Sequence, residues 1–562
     1  MKFSKTLFSS ILSVLLAANA GAQTVYEAYR LSDNNYYGTA RSIAMGNAFT
    51  ALGGDLGSIG INPAGSAVNS YSQIAITPNV SIAATASRYD GGGGSYDPSI
   101  KDSKTRFTLP NFGVMLYMNT GNKHGLKGVS FGLTGNATAN YTKRVEAGGT
   151  NSSTTYLGYL AASSDGYSSS SLSNYGYSSD ISWPAMVAYR SGMTATYDDS
   201  NKYYIGATEK LYSDGSIEIA GPIDQRYGFV STGFKYDIVF NLGFNINDRF
   251  FLGVNVGMVT FDYDSQMYIK ESALDTDDFA IEYTSGSTNF DWARFREKYS
   301  AEGNGVYGKI GFIWLPIGGL RVGAAIQTPT LNFVREKWQY SGEAHFTDSS
   351  FDGAEASGIG EYEYRLISPY RVNAGVALTA SFGVISADYE MCNYGTMRYR
   401  NWEDGTSSGW ELEDKLFRKF YGTQHSIRVG TEILLPFPGL SFRAGYNLKL
   451  SPELLWYDDT GAVDATVYED YYYDSSLSDS EFYSWTYSLY GKEHVRADTH
   501  VFSLGLGFSS NGSFFCDVAC RYTLMPFEYT SLYPDYTSGS SSPVLKNRTK
   551  MWDAVVSFGW RF

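Results

Sequence analysis

The feature that most constrains this chain is a series of segments in which apolar and polar residues alternate. At the end of the last of these segments, over 552–562, one parity is apolar throughout: Trp552, Ala554, Val556, Phe558, Trp560 and Phe562. Most of the residues between them are small or charged: Asp553, Ser557, Gly559 and Arg561. A period of two indicates a β-strand with one apolar face.

Fourteen such segments follow one another along the chain: 71–88, 105–118, 127–142, 229–245, 249–270, 303–315, 319–333, 361–380, 382–399, 423–435, 439–450, 499–509, 513–529 and 547–562. Their connections are alternately short and long. An even number of strands with short turns at one rim and long loops at the other is typical of outer-membrane barrels. A soluble β-sandwich has no reason to sort its loops in this way. The sequence therefore predicts an all-β protein, a 14-stranded antiparallel transmembrane β-barrel.

Composition and the N-terminus agree with an exported barrel. Aromatic residues make up 16% of the 562 residues and charged residues only 18%, against about 25% charged in an average globular chain. Lys2, Lys5, an apolar stretch over 7–18 and a small-residue site at 20–22 predict a signal peptide, 1–22. Beyond it no apolar run reaches the ~18 residues that a transmembrane helix needs.

The predicted organisation then has three parts. The signal peptide, 1–22, is followed by a plug for the lumen, 23–70, and by the barrel, 71–562, with long extracellular loops at 143–228, 271–302, 330–360 and 451–498. In the plug, residues 39–53 are predicted to form a short helix that ends at glycine, and residues 55–65 a tight turn. That turn contains the motif Asn62, Pro63, Ala64 and Gly65.

The plug carries a resemblance to a known family. The Asn62-Pro63-Ala64 motif, preceded by Ala40, Arg41, Met45, Gly46, Ala48, Phe49 and Ala51, resembles the FadL-type outer-membrane transporters of long-chain fatty acids and other hydrophobic compounds. Leu109-Pro110 and the stretches 320–330, 385–390, 428–432 and 443–446 resemble the branch often labelled hemin receptor. The large loops 143–228 and 451–498 depart from the family pattern.

The resemblance implies a fourteen-stranded barrel with an N-terminal plug, and a ligand route. In the family, a ligand is captured on the extracellular side and enters a hydrophobic pocket near the plug. It then leaves through the barrel wall, at a kink in the third strand. Gly132 and Gly135 are the candidates for that lateral opening, because glycine weakens a strand ladder. The alternative is that these glycines only line a crowded lumen.

Charged residues on the polar parity of the strands are predicted to face the lumen: Lys309, Arg321, Arg371, Arg428, Glu432, Arg443 and Arg561. Buried charges persist when they are paired. One interpretation is therefore a lattice of salt bridges between the wall and the plug. The other is that one unpaired Arg or Lys receives a ligand carboxylate.

The search for catalytic and metal sites finds no candidate. The five histidines form no metal-spaced pair and supply no axial ligand for a haem. No nucleophile lies in a hydrolase elbow, so we expect neither an enzyme nor a cofactor or metal. The net charge of −14 argues against a nucleic-acid partner.

The predicted function is passage of small hydrophobic molecules, long-chain fatty acids or similar compounds, across the outer membrane of a Gram-negative bacterium. It would combine ligand capture, a plug-gated pocket and lateral diffusion. The alternatives are a FadL-like barrel that acts as a binding or assembly partner in protein export, and a hemin-binding outer membrane receptor. We expect a multi-pass monomer whose partners are a hydrophobic ligand, outer-membrane lipid and the barrel-assembly machinery.

The alternating aromatic terminus generates the first testable prediction. Phe558, Trp560 and Phe562 form a signal of the kind that barrel-assembly machinery reads. Deletion of Phe562 should lower the yield of heat-modifiable barrel in the outer membrane and leave export to the periplasm intact. An unchanged yield on unheated gels would contradict the assignment.

Overall fold

The computed structural model describes residues 25–562 except 93, 175, 178–180, 199, 284–285, 455–469, 473–482, 486–497, 511–512 and 538–540. Within these residues fourteen wall strands are present: β1 Gln73–Asp90, β2 Ile100–Asn119, β3 Leu126–Asn140, β4 Ile223–Ile246, β5 Phe250–Ala273, β6 Gly286–Trp314, β7 Leu320–Gln327 and Thr330–Phe346, β8 Gly360–Ser368 and Arg371–Ala380, β9 Gly383–Asn393 and Arg398–Asn401, β10 Thr423–Leu434, β11 Leu440–Lys449, β12 Thr499–Ser509, β13 Phe514–Ser531 and β14 Val544–Arg561. The predicted signal peptide, 1–22, lies outside the described residues.

Each wall strand pairs antiparallel with the next, and β14 pairs with β1. The sheet is therefore a closed barrel, and the predicted fold class is confirmed. Its outer surface carries an apolar belt, which is seen on β5 as Leu252, Val254, Val256 and Met258, each 38–55% exposed. Such a belt is the lipid-facing surface of a transmembrane barrel. In the part of the chain that the structure describes, no helix is long and apolar enough to cross a membrane.

The connections differ at the two ends of the barrel. The short-turn rim holds turns such as Asn247-Asp248, where both residues have positive φ, 56° and 55°. Asn and Asp tolerate this conformation, which a two-residue hairpin of type I′ requires. The long-loop rim lies at the other end. Two of its predicted loops, 271–302 and 330–360, are wrong in extent, because β6 and β7 run on through much of both ranges.

The strands continue past the belt because charged cross-strand pairs replace the apolar face there. Arg335 of β7 contacts Glu302 of β6 at 3.9 Å and bonds to Glu363 of β8 through Nε at 2.7 Å. In this region the outward parity is polar while the inward parity still carries apolar and aromatic residues such as Tyr299 and Trp338, so the outward apolar face that marks a membrane strand is lost. Most of the predicted loop 451–498 lies outside the described residues.

The loop 143–228 folds into a cap over the long-loop rim. It contains a continuation of β3 at Lys143–Asn151, three helices, α3 Tyr156–Ser164, α4 Ser169–Asn174 and α5 Trp183–Arg190, and short strands at Thr194–Thr196, Tyr204–Gly206, Glu209–Leu211 and Ile217–Ile219. Helix α6, Glu411–Phe420, also lies at this rim, and the remaining short elements are Thr276–Phe279, Ala280–Tyr283, Ser349–Phe351, Gly353–Ala356, Tyr394–Thr396, Asp470–Tyr472 and Tyr483–Trp485. Leu157 and Val187 of the cap pack on Phe290, Phe295 and Phe346 of the wall.

The N-terminal segment fills the lumen as a plug. It comprises helix α1 Val25–Ser32, helix α2 Ala40–Ala44 and two 3-10 turns, Leu56–Gly60 and Pro63–Val68. The helix predicted over 39–53 is thus much shorter than expected. Thr39 caps its start by accepting a hydrogen bond from Ser42 N at 3.2 Å. Gly46 and Asn47, with φ of 62° and 60°, end it by turning the chain back.

Glycines of the wall let the plug backbone approach the strands directly. A Cβ on Gly253 would overlap the carbonyl carbon of Pro63, and one on Gly430 would overlap the carbonyl oxygen of Met45. We call these wall positions the glycine seat: Gly253, Gly311, Gly323, Gly430 and Gly445. Because any larger residue would occupy the space of the plug backbone or, at Gly311, of the Asn62 side chain, the seat fixes the plug against the wall.

The glycine seat predicts a large difference between two glycines of one strand. On β6, a Cβ at Gly311 would overlap Asn62 Oδ1, whereas a Cβ at Gly308 would lie 3.8 Å from its nearest neighbour, Thr328 Cγ2. Gly311→Ala should therefore displace the plug at a cost of roughly 1–3 kcal/mol, and Gly308→Ala should not. Planar-bilayer conductance should rise for Gly311→Ala alone, with both variants still heat-modifiable. Equal conductance of the two variants would contradict the seat.

Candidate functional site

Asn62 joins two parts of the plug to the wall. Its Nδ2 donates to Thr50 O at 2.6 Å and to Phe312 O of β6 at 3.0 Å. Its Oδ1 accepts from Ala64 N at 3.1 Å and so caps the turn Pro63–Val68. One buried amide thus satisfies three backbone groups that would otherwise lack partners in the lumen.

The other three residues of the motif form the turn itself. Pro63 occupies the first position of the turn, and its carbonyl accepts from Asn241 Nδ2 of β4 at 2.9 Å. Ala64 is fully buried, and Gly65 packs against Gly53, with Gly54 N donating to Gly65 O at 2.9 Å. The motif therefore lies where the plug meets β4, β5 and β6.

A chain of ion pairs holds the plug at the short-turn rim. Arg41 of the plug bonds to Glu432 of β10 at 2.8 Å, and Glu432 bonds to Arg443 of β11 at 2.6 Å. Arg443 continues to Asp517 of β13 at 2.6 Å. The Glu432 carboxylate therefore bonds to one arginine of the plug and one of the wall. Such charge-assisted hydrogen bonds are stronger than neutral ones, so they hold the plug against β10 and β11.

Two further predicted charges lie at the same rim. Arg321 donates through Nη1 to Leu52 O of the plug at 2.7 Å. Arg561 donates to Ser509 Oγ of β12 at 3.1 Å and its guanidinium lies 4.8 Å from the Phe515 ring centre. These side chains line an open cavity of about 830 Å³ together with Arg41, Glu432, Arg443 and the turn 436–438.

The remaining predicted charges form a layer in the middle of the lumen. Lys309 donates to Gly60 O of the plug at 2.8 Å. Arg371 bonds to Glu390 at 3.2 Å and to Ser32 O at 2.8 Å, and Arg428 also bonds to Glu390. Each of these cations thus contacts the plug or shares a carboxylate with one that does.

Two lumen lysines were not among the sequence candidates. Lys235 of β4 donates to Leu31 O at 2.7 Å, and Lys449 of β11 pairs with Asp33 at 2.6 Å. Burial alone would raise the pKa of Asp33, but Lys449 and Arg371 hold it below its usual value. Strand parity places both lysines inward, so parity was the signal that could have found them.

Above this layer, helix α1 occupies an aromatic chamber. Tyr29 stacks on Tyr421 with ring centres 4.9 Å apart and meets Tyr394 edge-on at 4.8 Å. The Arg30 guanidinium lies 4.7 Å from the ring centre of Tyr263. The chamber wall continues with Tyr299, Trp338, Tyr364, Tyr399, Trp410 and Phe417. A straight route along the barrel axis is therefore filled with packed side chains.

The barrel wall has a discontinuity between β2 and β3. Their ladder ends at the pair Asn111 and Asn136, where Asn111 Nδ2 donates to Asn136 Oδ1 at 2.8 Å. Beyond this pair, β2 from Ile100 to Thr108 pairs with β1 alone among the described strands. We call the space beside β2, from Asn111 up to the ion pair between Asp102 and Arg144, the lateral gap.

The gap exists because β3 bends into the lumen. Its residues 134–139 are all buried, although a regular wall strand alternates between buried and exposed. Asn140 donates to Ser81 Oγ of β1 at 3.2 Å, so β3 passes behind β2. The plug takes over the pairing, with Asn35 N donating to Thr138 O at 2.7 Å and Tyr37 N to Ala137 O at 3.2 Å.

Two side chains span the lateral gap. Arg106 of β2 donates through Nη1 to Gly233 O of β4 at 2.6 Å. Tyr236 of β4 donates through its hydroxyl to Leu109 O of β2 at 2.6 Å. The gap is therefore closed by side-chain bonds where the rest of the wall is closed by a backbone ladder.

The two predicted lateral-opening glycines lie just below the gap. Gly132 pairs with Met115 and Asn241, and Gly135 pairs with Phe112 and Ile238, so the ladder at both glycines is intact. The ladder with β2 ends at Asn136, one residue after Gly135, and the irregularity between Ala137 and Ala139 follows two to four residues after Gly135. The bend therefore lies beyond both glycines, and their role in a lateral opening stays a prediction.

The remaining sequence candidates lie on the outer surface. Phe558, Trp560 and Phe562 are 44–69% exposed on β14 at the short-turn rim. His425 and His500 bond to the hydroxyls of Tyr389 and Tyr446 on outward-facing positions. Among the described residues, no group of three or more metal-binding side chains is present.

The bonds of Asn62 predict how its loss would act. Asn62→Ala removes the two bonds of Nδ2 and the turn cap, which weakens the plug seat by roughly 1–3 kcal/mol. The matched control is Asn69→Ala, because Asn69 Nδ2 has no hydrogen-bond partner in the part of the chain described here. We expect altered transport and normal membrane abundance for Asn62→Ala alone. Transport equal to that of the parent would contradict a role in the gate.

Comparison with known proteins yields structural similarity only. No family model matches the chain, and no curated protein matches it. A FadL homologue from Pseudomonas aeruginosa has a TM-score of 0.48 at 12% identity, covering 94% of this chain and 99% of that chain. The toluene transporters TodX of P. putida and TbuX of Ralstonia pickettii have TM-scores of 0.44 and 0.43 at 10% and 12% identity, with the same coverage. The resemblance to the FadL type is confirmed as a likeness, and no conclusion about cargo rests on it.

Proposed function

We propose that this barrel passes small hydrophobic molecules across the outer membrane and releases them sideways through the lateral gap. The observation that carries the proposal is the unpaired edge of β2 beside the inward bend of β3. In hydrocarbon an unsatisfied backbone group costs several kcal/mol. The separation of β3 from β2 within the apolar belt is therefore unfavourable in free energy. A passage for ligands through the wall would explain why it is present.

The filled lumen supports a sideways route over an axial one. Helix α1 and the aromatic chamber occupy the long-loop half, and the plug rests on the glycine seat in the short-turn half. A water-filled porin would need an open column through both halves. A hydrophobic molecule that enters the chamber could instead reach the membrane by displacing only the contacts of the plug segment Asn35–Tyr37 and the two bonds across the gap.

The chemistry of the chamber indicates the ligand class. Its walls are aromatic and apolar, as sites for hydrophobic small molecules usually are, with a few fixed polar groups. Two of the similar solved proteins, TodX and TbuX, are toluene transporters. In this assignment the short-turn rim faces the periplasm.

Uptake by whole cells tests the function. Cells that produce the protein should accumulate radiolabelled oleate or toluene faster than cells that carry the empty vector, at equal outer-membrane integrity. Liposomes that contain the purified protein should not swell in sucrose, because the plug blocks water-filled passage. Uptake equal to the vector control for both hydrophobic probes would overturn the proposal.

The two bonds across the gap predict the behaviour of a loosened gate. Arg106→Ala with Tyr236→Phe removes both bonds, which together contribute about 2 kcal/mol. If opening limits passage, uptake should rise by at least tenfold. The control is Arg294→Ala with Tyr389→Phe, because these side chains make similar bonds, to Glu343 and His425, away from the gap. Equal uptake by parent, variant and control would place the exit elsewhere.

A further inference from the structure

A basic cluster lies at the upper end of the lateral gap. It consists of Lys104 and Arg106 on β2 and Arg144 on the continuation of β3. We infer that this cluster binds the phosphorylated headgroup of a membrane lipid whose acyl chain lies in the gap. The inference rests on the gap that the proposed function uses, but it concerns a bound lipid rather than the cargo.

The charges of the cluster are only partly balanced by protein groups. Arg144 pairs with Asp102 at 2.6 Å and lies 3.8 Å from Glu146, and the charge of Arg106 interacts with that of Asp262. Lys104 makes no ion pair or side-chain hydrogen bond among the described residues, and Arg106 donates to the carbonyl of Gly233. Two cations two residues apart on one strand face repel each other unless an anion lies between them. The cluster is therefore complementary to a ligand with more than one negative oxygen.

The height of the cluster matches a lipid headgroup. On the neighbouring strand β1, Val80 and Ile82 are the last strongly exposed residues of the apolar belt, and they pair with Phe107 and Thr105 of β2. Lys104 thus lies immediately above the belt. Lysine and arginine at this level attract anionic lipids.

The gap below the cluster suits an acyl chain. Phe107 is 70% exposed at its edge, and Phe112 covers Gly135 at its lower end. On the opposite side, Phe234 and Tyr236 meet edge-on with ring centres 5.4 Å apart. An inorganic phosphate could use the cations but not this apolar surface. A lipid uses both, which is why a lipid is favoured over a soluble anion.

The assignment also explains how the unpaired edge of β2 is tolerated in the membrane. Backbone N–H groups of an open edge can donate to phosphate oxygens at the headgroup level, and acyl chain fills the space that water would otherwise enter. A lipid in this position would close the wall until cargo displaces it.

Lipid binding to the purified full-length protein tests the inference. The probe is diphosphoryl lipid A, titrated against the protein in dodecyl maltoside and detected by native mass spectrometry. Lys104→Gln with Arg106→Gln should weaken binding by tenfold or more, because two attractive charges are lost. The control is Lys101→Gln, an exposed lysine of the same strand with the opposite parity, which should bind like the parent. Heat-modifiability reports that each variant is folded.

The outcomes separate the lipid from other anions and from the cargo. Weaker binding of dephosphorylated lipid A supports a phosphate site. Equal binding of both lipids, or equal binding by parent and double variant, would overturn the inference. So would displacement of lipid A by an equal concentration of inorganic phosphate. Lipid A bound by a protein that shows no oleate or toluene uptake would support this site and refute the proposed function alone.

Discussion

The structure depends on one constraint: a backbone N–H or C=O in the hydrocarbon layer must have a hydrogen-bond partner. Most of the fourteen junctions between neighbouring wall strands in the described residues meet it with a ladder that is interrupted only locally, as between β14 and β1, where the pairs at Thr77 and Pro78 are missing. At the junction of β2 and β3 the ladder stops at Asn111 and Asn136. There the plug supplies part of the missing pairing, through Asn35 and Tyr37. The plug is thus part of the wall as well as the content of the lumen.

The plug is held by contacts of two kinds that act at different levels. Glycines of the wall bring its backbone against the strands, which gives shape complementarity without side chains. Ion pairs such as Arg41 with Glu432 and Lys449 with Asp33 then fix its lateral position. Removing one partner of a buried ion pair destabilises the fold, because the other charge stays buried without a counter-charge. The lumen charges therefore favour the interpretation as a lattice between wall and plug.

The strands of the belt could be predicted from the sequence because lipid on one side and a packed lumen on the other impose a strict period of two. The segment 249–270, for instance, corresponds to β5, Phe250–Ala273. Above the belt water replaces lipid, so charged residues such as Arg335 stand outward and the outward apolar face is lost, although the inward parity stays apolar. The extent of β6 and β7 was missed for that reason.

The position of the bend was also hard to predict. Residues 134–139 are small or polar at both parities, so they carry no apolar face toward lipid. That loss of alternation was the available signal, and the two glycines lie before the bend. The pairing of Thr138 with Asn35 could not be predicted, because it joins backbone groups, whose partners no side-chain pattern records.

The hydrogen bond from Ala40 N to Ser557 Oγ, at 2.7 Å, has a consequence for the order of assembly. Ser557 lies on β14 and also bonds to Thr77 of β1 at 2.7 Å, across the junction where the first and last strands meet. Once that junction has formed, the cap obstructs one mouth and the glycine seat leaves no clearance at the other. The N-terminal segment must therefore be in place before the barrel closes, so that the plug is also the template on which the last strand docks.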